Sequence, residues 1–223
     1  MLKLLIDTSN KEAGAGVYDS GRCLYEEYAE AGRAYNSIIM GLIDRVMEKA
    51  GKEAADFDLF CASLGPGSFT GIRVGISVMK AFASALGKGF FGAPVPDIMA
   101  VTAEKGLLPA IDAGRGEVYT VAENGEYVIM EENMFFSRFL KGRKAALLSF
   151  DARLISLAEK NSAEYRVLPR IELSAFNILA EKNGAANIKE AVYKAGAVYV
   201  RRPAAVEKKE GKGEKNEQIG NNI

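Results

Sequence analysis

Leu64-Gly65-Pro66-Gly67-Ser68-Phe69-Thr70-Gly71 joins an apolar stretch, Asp56 to Leu64, that reads as a strand to a second, Ile72 to Leu86, that reads as a helix. Glycine lets a backbone adopt positive φ or press closely against a neighbour. Here it sits where a helix begins, so Ser68 to Gly71 would carry backbone N–H groups with no intrahelical partner. Anions favour such an end. A tight strand-to-helix loop accounts for the same residues without any ligand, so the phosphate cradle and the plain turn stand side by side at this level.

Upstream, Leu2 to Ile6 reads as a buried strand followed by the turn-forming cluster Asp7-Thr8-Ser9-Asn10, then strands at Ala13 to Tyr18 and Arg22 to Glu30 joined by Asp19-Ser20-Gly21. A helix follows from about Ala34 to Lys49. Its Ile39, Leu42, Ile43, Val46 and Met47 keep helical spacing, Asn36 or Ser37 can cap its start, and Gly51 sits at its C-terminal cap. After the glycine loop and the second helix come a short strand at Gly89 to Gly92 and a brief helical piece from Pro94 through Ala103. Residues 1–104 thus form a first lobe. Residues 105–202 form a second mixed lobe, with strands at Leu107 to Asp112 and Glu117 to Ala122, and an Asn124-Gly125 hairpin into Glu126 to Met130. Helices at Asn133 to Lys141, Asp151 to Asn161 and Ser174 to Asn183 alternate there with strands at Ala145 to Leu148 and Tyr165 to Leu168. Residues 203–223 are rich in Ala, Glu, Lys, Gly and Asn, poor in large aliphatics, and predict a mobile charged tail.

At 223 residues, 48% hydrophobic and 26% charged, the chain has the composition of an ordinary globular protein. No apolar run approaches the roughly 20 residues that cross a bilayer, which predicts no membrane association. The apolar start, Leu2 to Ile6, is too short for a signal peptide and predicts a cytoplasmic protein. Cys23 and Cys61 make neither a metal spacing nor a disulfide framework and both fall in strand-like segments, where a buried free thiol is expected. Lys and Arg number 29 against 29 Asp and Glu, so no long-range field draws in nucleic acid and any RNA contact needs a local patch or a partner. The chain has no histidine, which removes every scheme built on imidazole, the Ser-His-Asp triad and the H-E-x-x-H zinc site included.

Three separated segments, Leu5-Ile6-Asp7-Thr8-Ser9, Leu64 to Gly75 and Ile111-Asp112-Ala113-Gly114-Arg115-Gly116-Glu117-Val118-Tyr119, together with the closing Tyr199-Val200-Arg201-Arg202-Pro203, resemble the TsaB (YeaZ) family over nearly the whole chain except the tail. The resemblance implies an α/β, actin-like ATPase (ASKHA, ribonuclease H-like) fold of two related lobes. It further implies a non-catalytic platform subunit that binds and activates a TsaD-type transferase. That enzyme carries out N6-threonylcarbamoylation of adenosine 37 in tRNAs reading ANN codons, the t6A modification. The catalytic paralogue holds a metal through two histidines, which this chain cannot copy. Asn36 stands where TsaB relatives often show the first residue of a His-Ser pair. The implied partners are the transferase in a heterodimer, a TsaE-type P-loop ATPase, tRNA through the complex, and a second copy as a homodimer. No cofactor is required of this chain itself, with ATP and magnesium entering through the complex.

Within that resemblance, Asp7 and Thr8 match the first phosphate turn of actin-like ATPases, where a carboxylate can hold hydrated magnesium and hydroxyls can face phosphate; with Gly67 and Ser68 they form the candidate nucleotide site. The alternative is a polar turn kept for folding. Asp112 occupies the second such turn, where a local ion pair between the neighbouring Arg115 and Glu117 is the purely structural alternative. Ser77-Val78-Met79-Lys80 spells the S-x-x-K of serine acylases without the companion S-D-N and K-T-G signatures, and helical spacing explains it more simply. The two apolar helices form the candidate partner interface, through Ile39, Ile43 and Met47 on the first and Gly71, Gly75, Val78, Met79 and Phe82 on the second. From pattern alone the same residues serve equally as internal core. The rival function is a stand-alone ATP-dependent phosphotransferase using Asp7 and the glycine loop for nucleotide and Asp112 as base.

Overall fold

The computed structural model describes residues 1–30, 35–103, 106–183 and 196–197. The Tyr199 to Pro203 motif, the tail and the capping assigned to Asn36 or Ser37 lie outside what it describes. The chain alternates three strands, a helix, a strand, a helix, a strand and a helix, and then does so again. The first set is β1 (Leu2–Asp7), β2 (Glu12–Asp19), β3 (Arg22–Glu30), α1 (Tyr35–Ala50), β4 (Leu59–Ser63), α2 (Phe69–Leu86), β5 (Gly89–Ala93) and α3 (Val95–Thr102). The second is β6 (Leu107–Gly114), β7 (Glu117–Val121), β8 (Tyr127–Glu131), α4 (Glu132–Met134), β9 (Lys144–Leu148), α5 (Ala152–Lys160), β10 (Tyr165–Leu168) and α6 (Leu173–Asn183).

Both sets make a five-stranded sheet of one topology, β3-β2-β1-β4-β5 and, read in the matching direction, β8-β7-β6-β9-β10. In each, the first three strands are antiparallel and the last two join in parallel. The chain is therefore a structural duplication, an actin-like fold in its two-lobed form.

Strand alternation sets the layers. In β1, Leu2, Leu4 and Ile6 enter a core under α1 and α2, while Leu5 faces the other way; Phe60 and Ala62 of β4 follow the first group and Leu59 and Cys61 the second. β9 divides likewise, with Ala145 and Leu147 under α5 and Ala146 and Leu148 facing inward. The inward faces of both sheets share one core with α3 and α6, which pack on each other. The result is a stack of five layers: α1 and α2, sheet, α3 and α6, sheet, then α4 and α5.

Several elements differ from the sequence expectation. β4 starts at Leu59, not Asp56, because Ala54–Asp56 forms a short turn in which the Glu53 N–H donates to the Asp56 carboxylate at 2.8 Å. α2 starts at Phe69, ahead of Ile72, because Ser68 caps it by accepting from the Gly71 N–H at 3.2 Å. α2 has the length and apolarity of a membrane span, yet Ile72, Ile76, Met79 and Ala83 pack into the first core. The helix expected at Asn133 to Lys141 is instead α4 followed by a wide π-type turn, Phe135–Phe139. It buries the consecutive Phe135 and Phe136, whose rings meet edge to face at 5.1 Å. The second sheet begins just past residue 104, but α6 lies against β1, β2 and β5 of the first sheet. Cys61 is buried as expected; Cys23, at the start of the edge strand β3, is exposed.

Candidate functional site

The C-terminal ends of the two central strand pairs face each other across a cleft of about 390 Å³. The first lobe contributes Ser9, Asn10 and Lys11 after β1 and Gly67 and Ser68 after β4; the second contributes Asp112 to Gly114 at the end of β6 and Phe150 and Asp151 after β9. The duplication pairs these loops, since β1 corresponds to β6 and β4 to β9, so Asp151 before α5 occupies the place that Ser68 occupies before α2.

The structure brings Gly67 and Ser68 into this cleft, whereas Asp7 and Thr8 are buried and do not line it. The Asp7 carboxylate is buried and accepts from the Ser9 N–H at 3.1 Å, the Ser9 hydroxyl at 2.7 Å and the Ser63 hydroxyl. Burial raises its pKa above the ordinary value, while the hydrogen bonds from Ser63 and Ser9 pull the other way. The Thr8 hydroxyl donates to the Gly71 carbonyl at 2.7 Å, which ties the β1 turn to the first turn of α2. The Ser68 N–H donates to the Ser9 carbonyl at 2.6 Å, and a Cβ on Gly67 would lie 2.2 Å from that same oxygen. The glycine loop needs its glycine because it lies flat on the neighbouring turn.

A magnesium nucleotide fits this arrangement poorly. One oxygen of the Asp7 carboxylate takes all three of its hydrogen bonds, and the Thr8 hydroxyl and the Ser68 amide of the glycine loop are likewise engaged by protein. Asp112 is engaged too, accepting from the Gly114 N–H at 2.7 Å and from Arg153 at 2.5 Å, while Arg153 also pairs with Glu132.

Sequence reading missed Asp151. Burial and the nearby Asp112 charge push its carboxyl up to about 6, against a hydrogen bond from the Asp112 N–H and the Lys11 charge. Its Oδ2 is buried with no hydrogen-bond partner among the described residues. The signal was available: a carboxylate at the strand-to-helix junction where the other repeat has Ser68.

The second candidate surface is the outer face of α1 and α2. Ile39, Ile43, Gly71, Gly75 and Met79, expected to meet a partner, are instead buried in the first lobe's own core. Gly75 admits the Thr8 side chain, since a Cβ there would lie 2.3 Å from its hydroxyl oxygen. Met47, Val78 and Phe82 are partly exposed at its margin, and Phe82 stacks on Phe60 with centroids 5.4 Å apart. What these helices do present outward is Met40, 41% exposed, Phe69, 44% exposed with Arg73 lying 3.8 Å over its ring, and the exposed small residues Ser77, Ala81, Ser84 and Ala85 along one side of α2. Ser77 lies on that open face, at the same helical spacing as its neighbours.

Comparison with known proteins agrees with this architecture. The family model described as TsaD, tRNA N6-adenosine threonylcarbamoyltransferase, matches residues 29–204. The chain is similar to the tRNA threonylcarbamoyladenosine biosynthesis protein TsaB of Buchnera aphidicola, 30% identical over 56% of this chain and 60% of that protein. The TsaB of Bacillus subtilis is 26% identical over 69% of this chain and 73% of its own length. The matches thus span 60–73% of those relatives. Among solved structures, YeaZ from Pseudomonas aeruginosa superposes with a TM-score of 0.70 over 89% of this chain and 99% of that one at 19% identity, which speaks to the fold. The chain belongs to the tRNA N6-adenosine threonylcarbamoyltransferase (TsaD) family and within it is similar to the TsaB proteins.

Proposed function

We propose that the chain is a non-catalytic platform subunit that binds a TsaD-type transferase and activates it for N6-threonylcarbamoylation of adenosine 37 in tRNAs reading ANN codons, in the cytoplasm. The observation that carries this reading is a member of a threonylcarbamoyltransferase family with no histidine at all. The histidine pair that the resemblance assigns to the catalytic paralogue has no counterpart here. The docking surface is the outer face of α1 and α2. Met40 and Phe69 offer apolar anchors there, and Ser77, Ala81 and Ala85 let a partner helix approach closely. The same surface serves self-association. A TsaE-type ATPase and tRNA join through the complex, which supplies any ATP and magnesium.

The test is light scattering of this chain mixed with the same organism's TsaD homologue, followed by a modification assay with threonylcarbamoyl-adenylate supplied. The complex forms and modification depends on this chain. Ala81→Arg and Met40→Glu, both on exposed positions, abolish the complex without changing the melting temperature. Assembly unaffected by both variants removes the α1 and α2 face from the proposal. Absence of any complex, with ATP hydrolysis by the lone chain, replaces the platform reading with the phosphotransferase.

A further inference from the structure

The second lobe carries a basic groove at the end opposite the cleft. Residues 133–150 include Arg138, Lys141, Arg143 and Lys144 and no carboxylate, in a chain whose 29 Lys and Arg are matched by 29 Asp and Glu overall. Gly142, at φ +75°, turns the chain so that these cations surround the entry to β9. That loop and the turn after α5 enclose a groove of about 360 Å³ lined by Lys141, Arg143, Lys144, Asn161, Ser162 and one carboxylate, Glu164. The exposed Lys160 ends α5 beside it.

Two of the cations pair with carboxylates, Arg143 with Glu123 at 2.6 Å and Lys144 with Glu164 at 2.7 Å, and both carboxylates are largely exposed. Exposed pairs of this kind contribute about 0–1 kcal/mol each, so a phosphate can displace either carboxylate at small cost. Arg138, Lys141 and Lys160 have no carboxylate within ion-pair distance among the described residues. The groove belongs to the sheet and helix layers farthest from α1 and α2, so a partner docked on that face leaves it open.

We propose that this groove holds the phosphate backbone of RNA, with Arg138, Lys141, Arg143 and Lys160 as the charge contacts and Asn161 and Ser162 as polar ones. The inference rests on the reading of the chain as part of a tRNA-modifying assembly and places a direct contact on this subunit. Phosphate contacts by lysine and arginine release counterions and position a nucleic acid without reading its bases.

The test is fluorescence anisotropy of a labelled ANN-reading tRNA transcript titrated with the lone chain and with its complex with the TsaD homologue, across a potassium chloride series. Arg138→Gln, Lys141→Gln and Lys160→Gln are combined, and Arg22→Gln, Lys49→Gln and Lys182→Gln serve as an equal-charge control. At a salt slope of about 0.7–0.9 per phosphate contact, the groove variant lowers the slope of log K against log salt by about 2 and weakens binding about tenfold at low salt, while the control does neither. Equal losses in both variants, an unchanged slope in the groove variant, or binding of an acidic protein in place of tRNA overturns the inference. Complex formation is scored separately by light scattering, so failure of the groove leaves the platform reading standing. Failure to form the complex refutes that reading without touching the lone-chain titration.

Discussion

Asp151→Asn makes the folded chain more stable at neutral pH. In the native state Asp151 keeps its proton up to about pH 6, because burial and the Asp112 charge disfavour the carboxylate, whereas an unfolded aspartate loses it near 3.8. Between those values the native state binds more protons than the unfolded state, so this group's contribution falls as pH rises through the window and is fully unfavourable above it. About two pKa units at 1.36 kcal/mol each bound the penalty at about 3 kcal/mol at pH 7. Asparagine keeps an acceptor for the Asp112 N–H and gains a donor beside the Asp112 carboxylate. The variant is therefore stabilised at pH 7 by up to about 3 kcal/mol, or about 6–12 °C for a domain of this size. The assay is urea denaturation of both proteins at pH 4, 5, 6 and 7. The gap between them opens from near zero at pH 4 to its full value at pH 7. A gap of constant size across the series, or a variant less stable at pH 7, refutes the reasoning.

Gly67→Ala forces a Cβ against the Ser9 carbonyl and costs about 1–3 kcal/mol by the measure of other overpacked sites, read as a lower urea midpoint with unchanged slope. The buried Lys3 of β1 pairs with Glu181 of α6, whose side chain is 38% exposed. Glu181→Ala therefore strands a buried ammonium and costs about 3 kcal/mol, while Lys3→Met leaves a hydrated carboxylate and costs under about 1 kcal/mol; equal effects in thermal melts contradict this. Phe82→Ala, which removes the ring stacked on Phe60, lowers stability by about 2–3 kcal/mol, so loss of partner binding in that variant coincides with a lower melting temperature, unlike Ala81→Arg.

The strand and helix order was legible because β1, β4 and β9 carry apolar runs bounded by turn residues and α1 and α2 keep helical spacing. Which side of α2 meets its own sheet was not. Ile72, Ile76 and Met79 and a partner-facing stripe obey the same spacing, and only β4 and Thr8, remote in sequence, decide that Gly71 and Gly75 point inward. The aromatic run at Phe135 and Phe136 carried no signal for a widened turn, since its winding is set by the core it fills. The glycine loop announced close backbone approach, and that is what it performs. Its neighbour turned out to be the Ser9 carbonyl, a contact between segments nearly 60 residues apart. Asp151 was visible as a residue but not as half of a repeat-related pair, because the two repeats share topology without sharing side chains at the cleft.

The layer formed by α3 and α6 has a mechanical meaning. Each helix ends one repeat, and together they weld the inward faces of both sheets into one core that includes Leu5, Ile111, Ala146 and Phe176. Swinging the halves apart would strip that oil-filled seam open along its whole length, which leaves only small sliding between packed helices as an inexpensive deformation. The chain therefore behaves less like a jaw than like a wedge, a solid piece that can pass a push received on α1 and α2 to the far end of the second lobe.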